Sequence, residues 1–547
     1  MDSNDPAKIQ EYKALGFNTS LLTEDHTGSQ GPDECYKVTI ETANIRENGA
    51  NSSTLTFSLN SGAAKYIQLK TNIPTGLSYG DFLLGDTSKG NLILETTEGA
   101  QRVAWFSYSE LSGAVYLTFN FTGYNKPGTQ YILKAGTSLK AGGATYTTDR
   151  DYIFTITNDY LTSLENLDNA GLNVWIRNHH NTADYFNENM TSVLKMYEDV
   201  IDGFYMTDEP FMTNALLNKA GQSSYATDFE SMGVLRDWFN ANFADKYFHV
   251  NHVPMSSADH YDTNKKISEA GYRSFLETYK ASFNGKLTNA SGSSVSFDNY
   301  PFVHAQGNYG GILGFGSHFE SGIQDTYLLN CLIAAQTAGE NDFGLCIQTF
   351  KAEDLENKTS RDIVSSAEVS LQIYTGLAMG ADVFEYFAYN SNADFQGILN
   401  TNGSKRIYDL VKEGNEALCF ANVVNSFAWN GIVTSAGSAN KDNDFSTVSH
   451  LVLNNASNGV LDSFSSTDDT VIGCFTKDSL NGYMIVNFND PAVVKGNNSV
   501  SVSFAGCTRA RVYTQNDGVL TSQIVDLTNG SYTAVLAPGA GCFIIPA

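Results

Sequence analysis

Apolar and polar residues alternate with a period of two along the early part of the chain. Tyr36-Lys37-Val38-Thr39-Ile40, Thr54-Leu55-Thr56-Phe57-Ser58-Leu59, Ala114–Phe119 and Asp151–Ile156 each set every second side chain on one face, and turns rich in Gly, Asn and Ser separate them. This pattern predicts antiparallel strands and a β-sandwich over residues 33–157. The period changes after Asn158. Within Ala183–Asp199, Phe186, Met190, Val193, Leu194 and Tyr197 recur at helical spacing, as do Tyr272, Phe275, Leu276, Tyr279 and Phe283 within Ser268–Phe283. Similar helices are predicted over Asp159–Ala170, Thr227–Phe243, Gln324–Ala338, Arg361–Met379 and Ser404–Ala421, with a short one after Asp5. Short apolar runs lie between them: Gly16–Leu22, Asn173–Asn178, Gly203–Thr207, Tyr247–Val250, Val295–Phe297, Phe343–Thr349 and Ala381–Tyr389. From Phe427 onward only strand periodicity remains, which predicts a second β-sandwich over residues 426–547.

Regular alternation of strand and helix argues for a parallel sheet with helices outside it. The expected fold is α/β: a (β/α)8 TIM barrel built from residues 1–32 and 158–425, with the first sandwich inserted after its second strand. The count begins with a helix, so Gly16–Leu22 is taken as the second strand and Gly203–Thr207 as the fourth. A barrel short of its first strand leaves an unpaired edge. The natural protein is therefore expected to carry residues before Met1, including an export signal, and to act at the cell surface or outside the cell. The inserted sandwich is expected to wall the catalytic face and extend contacts to an oligomeric ligand.

Composition narrows the function classes. The chain has 547 residues, of which 42% are hydrophobic, enough for large cores and too many for disorder. No run approaches the roughly 18–20 apolar residues of a membrane-spanning helix, so membrane insertion is not expected. A formal net charge of -26 makes phosphate backbones poor partners, which argues against nucleic acid. The seven cysteines form no CxxC pair and read as buried thiols. Neither a metal nor any other cofactor is expected: the adjacent His179 and His180 diverge on a strand and do not form a chelating pair.

Candidate chemistry sits where strands end, because barrel sites are built there. The third strand ends in Arg177-Asn178-His179-His180, the fourth in Thr207-Asp208-Glu209-Pro210 and the fifth in Val250-Asn251-His252. The sixth gives Asp298-Asn299-Tyr300-Pro301-Phe302, the seventh Ile347-Gln348-Thr349-Phe350, and the eighth Glu385-Tyr386-Phe387-Ala388-Tyr389. A carboxylate pair ending the fourth strand, Asp-x-Tyr-Pro on the sixth and Tyr-Phe-x-Tyr on the eighth resemble clan A glycoside hydrolases. The barrel portion is similar to uncharacterised bacterial relatives of the family 42 β-galactosidases. The run from Glu368 to Gly380-Ala381 and the segment Ile398–Gly403 followed by Tyr408-Asp409-Leu410-Val411 carry the same likeness.

That resemblance implies glycosidic-bond cleavage by paired carboxylates, with Glu209 as acid/base and Asp208 where the family usually has Asn. It also implies a nucleophilic Glu on the seventh strand, where this chain has Gln348. An amide cannot attack an anomeric carbon, so the second carboxylate must come from elsewhere. Asp298 is the first choice, as a base in an inverting reaction, with Glu353 and Glu385 as alternatives. Glu385 lies inside an apolar strand and needs a partner such as Arg177 or a histidine. Asn178, His179, Asn251 and His252 are candidate ligands for sugar hydroxyls, and Gln348 is reduced to binding substrate or water. Tyr300, Phe350, Tyr386 and Tyr389 are candidate stacking surfaces for sugar rings. The rival expectations are a carbohydrate-binding barrel that has lost catalysis and, with least support, a structural surface protein.

Overall fold

The computed structural model describes residues 5–22, 36–41, 54–55, 57–59, 66–77, 82–84, 91–96, 101–120, 128, 130–178, 186–209, 233–254, 269–282, 294–305, 308–313, 327–339, 342–354, 359–435, 459–492 and 494–547. The chain divides into two compact units, one formed chiefly by residues 19–202 and the other by 7–18 with 203–547.

In the first unit, Thr19–Leu22 pairs in parallel with Asn173–Arg177. The strands between them in sequence form two sheets, one of eight strands and one of four, antiparallel except where Ala144–Thr148 pairs in parallel with Thr54–Leu55. The last strand, Tyr152–Asn158, alternates buried and partly buried residues and leads directly into the helix Asp159–Asn169. Asn158 makes that junction. Its side chain accepts from the Leu161 backbone N–H, which caps the helix and satisfies one of its unpaired first-turn donors.

The second unit holds five parallel strands in sequential order: Ile201–Asp208, Tyr247–His252, Ser294–Asp298, Asp342–Gln348 and Ala381–Phe387. The first of these begins at the unit boundary. Helices Gly233–Asn242, Glu269–Ser282, Tyr327–Ala338 and Ser366–Ala378 fall between or before successive strands. This sequential parallel β/α succession is that of a TIM barrel. Tyr272, Phe275, Leu276 and Tyr279 are wholly buried, as their spacing predicts. Ser365 and Glu368 form a reciprocal capping box at the start of Ser366–Ala378.

Two helix expectations are corrected. The helix expected from Arg361 starts at Ser366, because Thr359–Arg361 pairs with Phe302–Ala305 and Ala352–Asp354 in a small antiparallel sheet. The helix expected over Ser404–Ala421 is an α-helix only at Tyr408–Gly414 and tightens to a 3-10 helix at Asn415–Phe420. No helix among the described residues is long and apolar enough to cross a membrane.

The C-terminal strands form sheets of six and three, packed over a core that includes Ile472, Tyr483, Ile485, Val500, Val502 and Val512. Strand Thr470–Lys477 lies against helix Ser366–Ala378 at Gly473, where a Cβ would collide with the Ala378 carbonyl oxygen. Trp429 fastens the same helix end by donating its indole N–H to that oxygen. Gly473→Ala is therefore expected to cost about 1–3 kcal/mol through forced backbone movement. A urea titration of the variant against the parent measures it.

Candidate active site

Five strand ends in the second unit supply the candidate residues. At the end of Ile201–Asp208 the register against Tyr247–His252 shifts between Tyr205 and Thr207. This irregularity brings Tyr205 and Asp208 together: the Tyr205 hydroxyl donates to Asp208 Oδ1 at 2.8 Å, and Asn251 Nδ2 donates to the same oxygen at 3.2 Å. Glu209 follows with φ of +44°, in the left-handed region that costs a non-glycine residue about 1 kcal/mol or more. Its backbone N–H donates to the Asn251 carbonyl at 2.8 Å, which fastens the strained turn to the neighbouring strand.

Asp298 ends Ser294–Asp298 and is only 9% exposed. Its Oδ1 has no hydrogen-bond partner among the described residues. Burial first, and then the charges of Glu209 and Asp208, push its carboxyl well above the usual range, while the Tyr300 hydroxyl opposes the rise. Burial, and then Asp208, also raise Glu209, and a hydrogen bond from Asp298 partly offsets this. The two side chains thus form one proton-sharing pair, with the proton favoured on the more deeply buried Asp298. Two adjacent carboxyls cannot both ionise cheaply, and a shared proton is the physical response.

Glu385 joins the same group, since its charge contributes to the rise at Asp298. Its Oε2 lies 3.3 Å from His249 Nε2. The histidine partner expected for this carboxylate is therefore His249, a residue that sequence reasoning missed. The available signal was parity. His249 and Asn251 are two apart on one strand and share a face, which makes His252 point the other way. Tyr205, whose ring centroid lies 4.9 Å from that of His249, was missed for want of any visible bulge.

Several expected ligand contacts are corrected by the same parity. His252 packs edge-on against Tyr279, with centroids 4.3 Å apart, and against Phe275 on helix Glu269–Ser282. Burial lowers it to about 3, so it remains neutral behind the sheet. Gln348 is fully buried, and its amide both accepts from the Phe302 N–H and donates to the Phe302 carbonyl, each at 2.9 Å. Its own N–H is taken by Gln372. Gln348 is thus a bracket for the Phe302 backbone and not a group presented to a ligand.

Tyr386 donates to Asn415 Oδ1 at 2.8 Å and packs on Phe17, while Tyr389 packs on Tyr12 and Phe17. Both serve the interface with the N-terminal helix. Tyr300 and Phe350 pack on each other and on Phe387, so they shape the wall of the site. The Tyr300 hydroxyl lies 3.8 Å from Cys346 Sγ. Asn178 is fully buried and belongs to the other unit. His179 lies outside the described residues. Glu353 is half-exposed and paired with Lys351 at 3.1 Å on the small antiparallel sheet.

The role of Gln348 yields a direct expectation. Gln348→Glu would restore the residue type of the family pattern, yet a carboxylate cannot donate to the Phe302 carbonyl. The variant is expected to lose about 1–3 kcal/mol of stability at neutral pH from that buried mismatch and to gain no turnover. Chemical denaturation and an aryl-glycoside assay on the same preparation test both halves.

Among the described residues no group of three or more His, Cys, Asp or Glu side chains is arranged to hold a metal ion. No family model and no curated protein matches the sequence. Solved structures do align with the chain. A GH30 endoxylanase from Clostridium papyrosolvens C71 is 11% identical over 70% of this chain and 90% of its own, with a TM-score of 0.27. The GH family 44 endoglucanase Cel44A from Clostridium thermocellum is 10% identical over 71% and 84%, with a TM-score of 0.33. The GH51 α-L-arabinofuranosidase from Thermotoga petrophila RKU-1 is 8% identical over 72% and 78%, also with a TM-score of 0.33. These neighbours are glycoside hydrolases of several families, and superpositions this loose say nothing of this chain's own activity.

Proposed function

We propose that the protein is a glycoside hydrolase that cleaves an oligo- or polysaccharide with the carboxyl cluster of the second unit. The observation that carries this reading is the Glu209–Asp298 pair at the ends of parallel strands, raised by burial and by neighbouring carboxylate charge and accompanied by Asp208 and Glu385. Glycosidic cleavage needs a carboxyl that is still protonated near neutral pH, facing the bridging oxygen, and a second that is charged. Glu209, partly exposed at the end of its strand, is the general acid. Asp298 beneath it holds the shared proton and resupplies it. The strand-end likeness to family 42 β-galactosidases supports a glycan as substrate, and a glycan substrate accords with a location at or beyond the cell surface.

Asp298 suits the base of an inverting scheme poorly, because a base must be ionised while the acid is still protonated and this carboxyl is the more strongly raised of the two. Glu385 therefore takes the role of charged counterpart. The rival, a non-catalytic carbohydrate-binding barrel, draws its support from Gln348 at the position of the missing nucleophile. Hydrolysis of a panel of aryl glycosides and plant or microbial oligosaccharides, with Glu209→Gln as control, decides between the two. Turnover lost in the variant supports the enzyme. A parent that binds glycans and hydrolyses none supports the rival.

A further inference from the structure

We propose that His249 is a positioning residue that fixes the Glu385 carboxylate as the negative floor of the cleft, facing the positive charge that a sugar ring develops during cleavage. This rests on the glycosidase reading and assigns a function to a residue outside the proton-sharing pair.

The placement argues for it first. Strand Tyr247–His252 and strand Ala381–Phe387 are not neighbours, because Ser294–Asp298 and Asp342–Gln348 lie between them in the sheet. Neighbouring strands stand about 4.8 Å apart, so an imidazole nitrogen within 3.3 Å of a carboxylate three strands away means that the contact crosses the concave interior of the curled sheet. His249 is fully buried, and its ring lies against that of Tyr205, which leaves it little freedom to follow a moving partner.

The chemistry follows from what each group can offer. On this proposal the hydrogen of the contact sits on Nε2, which then donates to a carboxylate oxygen that can only accept. Glu385 Oε2 is thereby occupied, and no other hydrogen bond to this carboxylate is formed among the described residues. The side chain keeps 26% of its surface exposed while the histidine keeps none. One end of the carboxylate is anchored and the other faces the opening. A carboxylate set between Phe384 and Tyr386 has no packing reason to be there, since Leu or Val would fill the position without a desolvation cost. An anchored and partly exposed carboxylate close to Asp298 is suited to meet developing positive charge without reorganising.

The test uses the full chain and a cationic probe that does not require turnover. Gluco-, galacto- and xylo-configured isofagomines carry a protonated ring nitrogen where the developing charge would sit, and the corresponding neutral sugars lack it. Calorimetry should show the parent binding at least one isofagomine. His249→Phe should weaken that binding about 10–100-fold, the size of one hydrogen bond to a charged group, and leave the neutral sugar within about threefold. His249→Gln, whose amide can supply the Nε2 donor, should recover most of the loss. Glu385→Gln should weaken the isofagomine at least as much, and adding His249→Phe to it should cost nothing further, because the two residues act as one unit. Nitrogen NMR of the imidazole should place the hydrogen on Nε2 in the parent, with a changed signal in Glu385→Gln.

An unchanged Nε2 signal in Glu385→Gln overturns the proposal. So does equal loss of cationic and neutral ligands in His249→Phe, no rescue by Gln, or no isofagomine binding to the parent. If the parent binds isofagomine with the expected pattern but hydrolyses no glycoside, the positioning role stands and the hydrolase reading fails.

Discussion

Glu209→Gln should reduce turnover of a natural glycan about 10²–10⁴-fold, the usual contribution of a positioned general acid. Gln keeps the shape and the ability to hydrogen-bond, but it has no proton to release to a departing sugar oxygen. The loss should therefore depend on the leaving group. Glycosides of alkyl alcohols need protonation as the bond breaks, whereas a dinitrophenolate leaves without it, so the variant should stay close to the parent on dinitrophenyl glycosides. The parent's alkaline limb, set by the proton shared between Glu209 and Asp298, should flatten in the variant. Steady-state kinetics across leaving groups and pH measure all three. Uniform loss across leaving groups would assign Glu209 to binding. The folded state should not suffer, because the substitution removes one negative charge from a crowded site.

Asp298→Asn is expected to change stability more than any other single substitution in the site, and in the stabilising direction. Burial and the charges of Glu209, Asp208 and Glu385 raise the Asp298 carboxyl in the folded protein, while in the unfolded chain it titrates near its ordinary value. Between those two values the folded state holds a proton that the unfolded state has lost. The folded state is therefore favoured at low pH, and this contribution disappears as pH rises from the ordinary carboxylate range through the raised folded value. Asn does not titrate. At pH 8 the variant should exceed the parent by about 1–3 kcal/mol, the cost of a buried carboxylate oxygen with no partner, and the difference should shrink toward zero near pH 4. Urea titrations at four or five pH values give the curve. A variant less stable than the parent at pH 8 would show that Asp298 is a structural anchor and would remove it from the proton-sharing pair. Activity should fall with the same substitution, as expected where a fold carries destabilising groups for function.

Glu368 offers a contrast. It too is fully buried, and burial raises it to about 8, but its Oε2 accepts from the Val364 and Ser365 N–H groups at 2.6 and 3.1 Å at a helix start. That acid is tied into the fold by a capping box legible as Ser365-x-x-Glu368, and it has no place in the cleft.

Local patterning determined a good deal by itself. Period-two alternation located the sandwich strands, and the spacing of Tyr272, Phe275, Leu276 and Tyr279 located a helix and its buried face, because those periods are set by backbone geometry alone. Reading the last residues of each predicted strand also found Asp208, Glu209, Asp298 and Glu385, since the parallel β/α order fixes which ends gather. What the sequence could not determine was direction and distance. His252 was assigned to the cleft beside Asn251, although neighbours on a strand face opposite sides, and only the packing of Tyr279 against its ring makes the outcome visible. Gln348 looks like a failed nucleophile in one dimension. In three it closes two hydrogen bonds on Phe302, a residue 46 positions away. Such long-range partners are chosen by how the sheet curls and not by any local preference. The same curl brings His249 to Glu385 across 136 residues and buries Asp298 within reach of the Glu209 charge. Residue identity supplied the acids, while tertiary burial and proximity decided which of them would hold a proton.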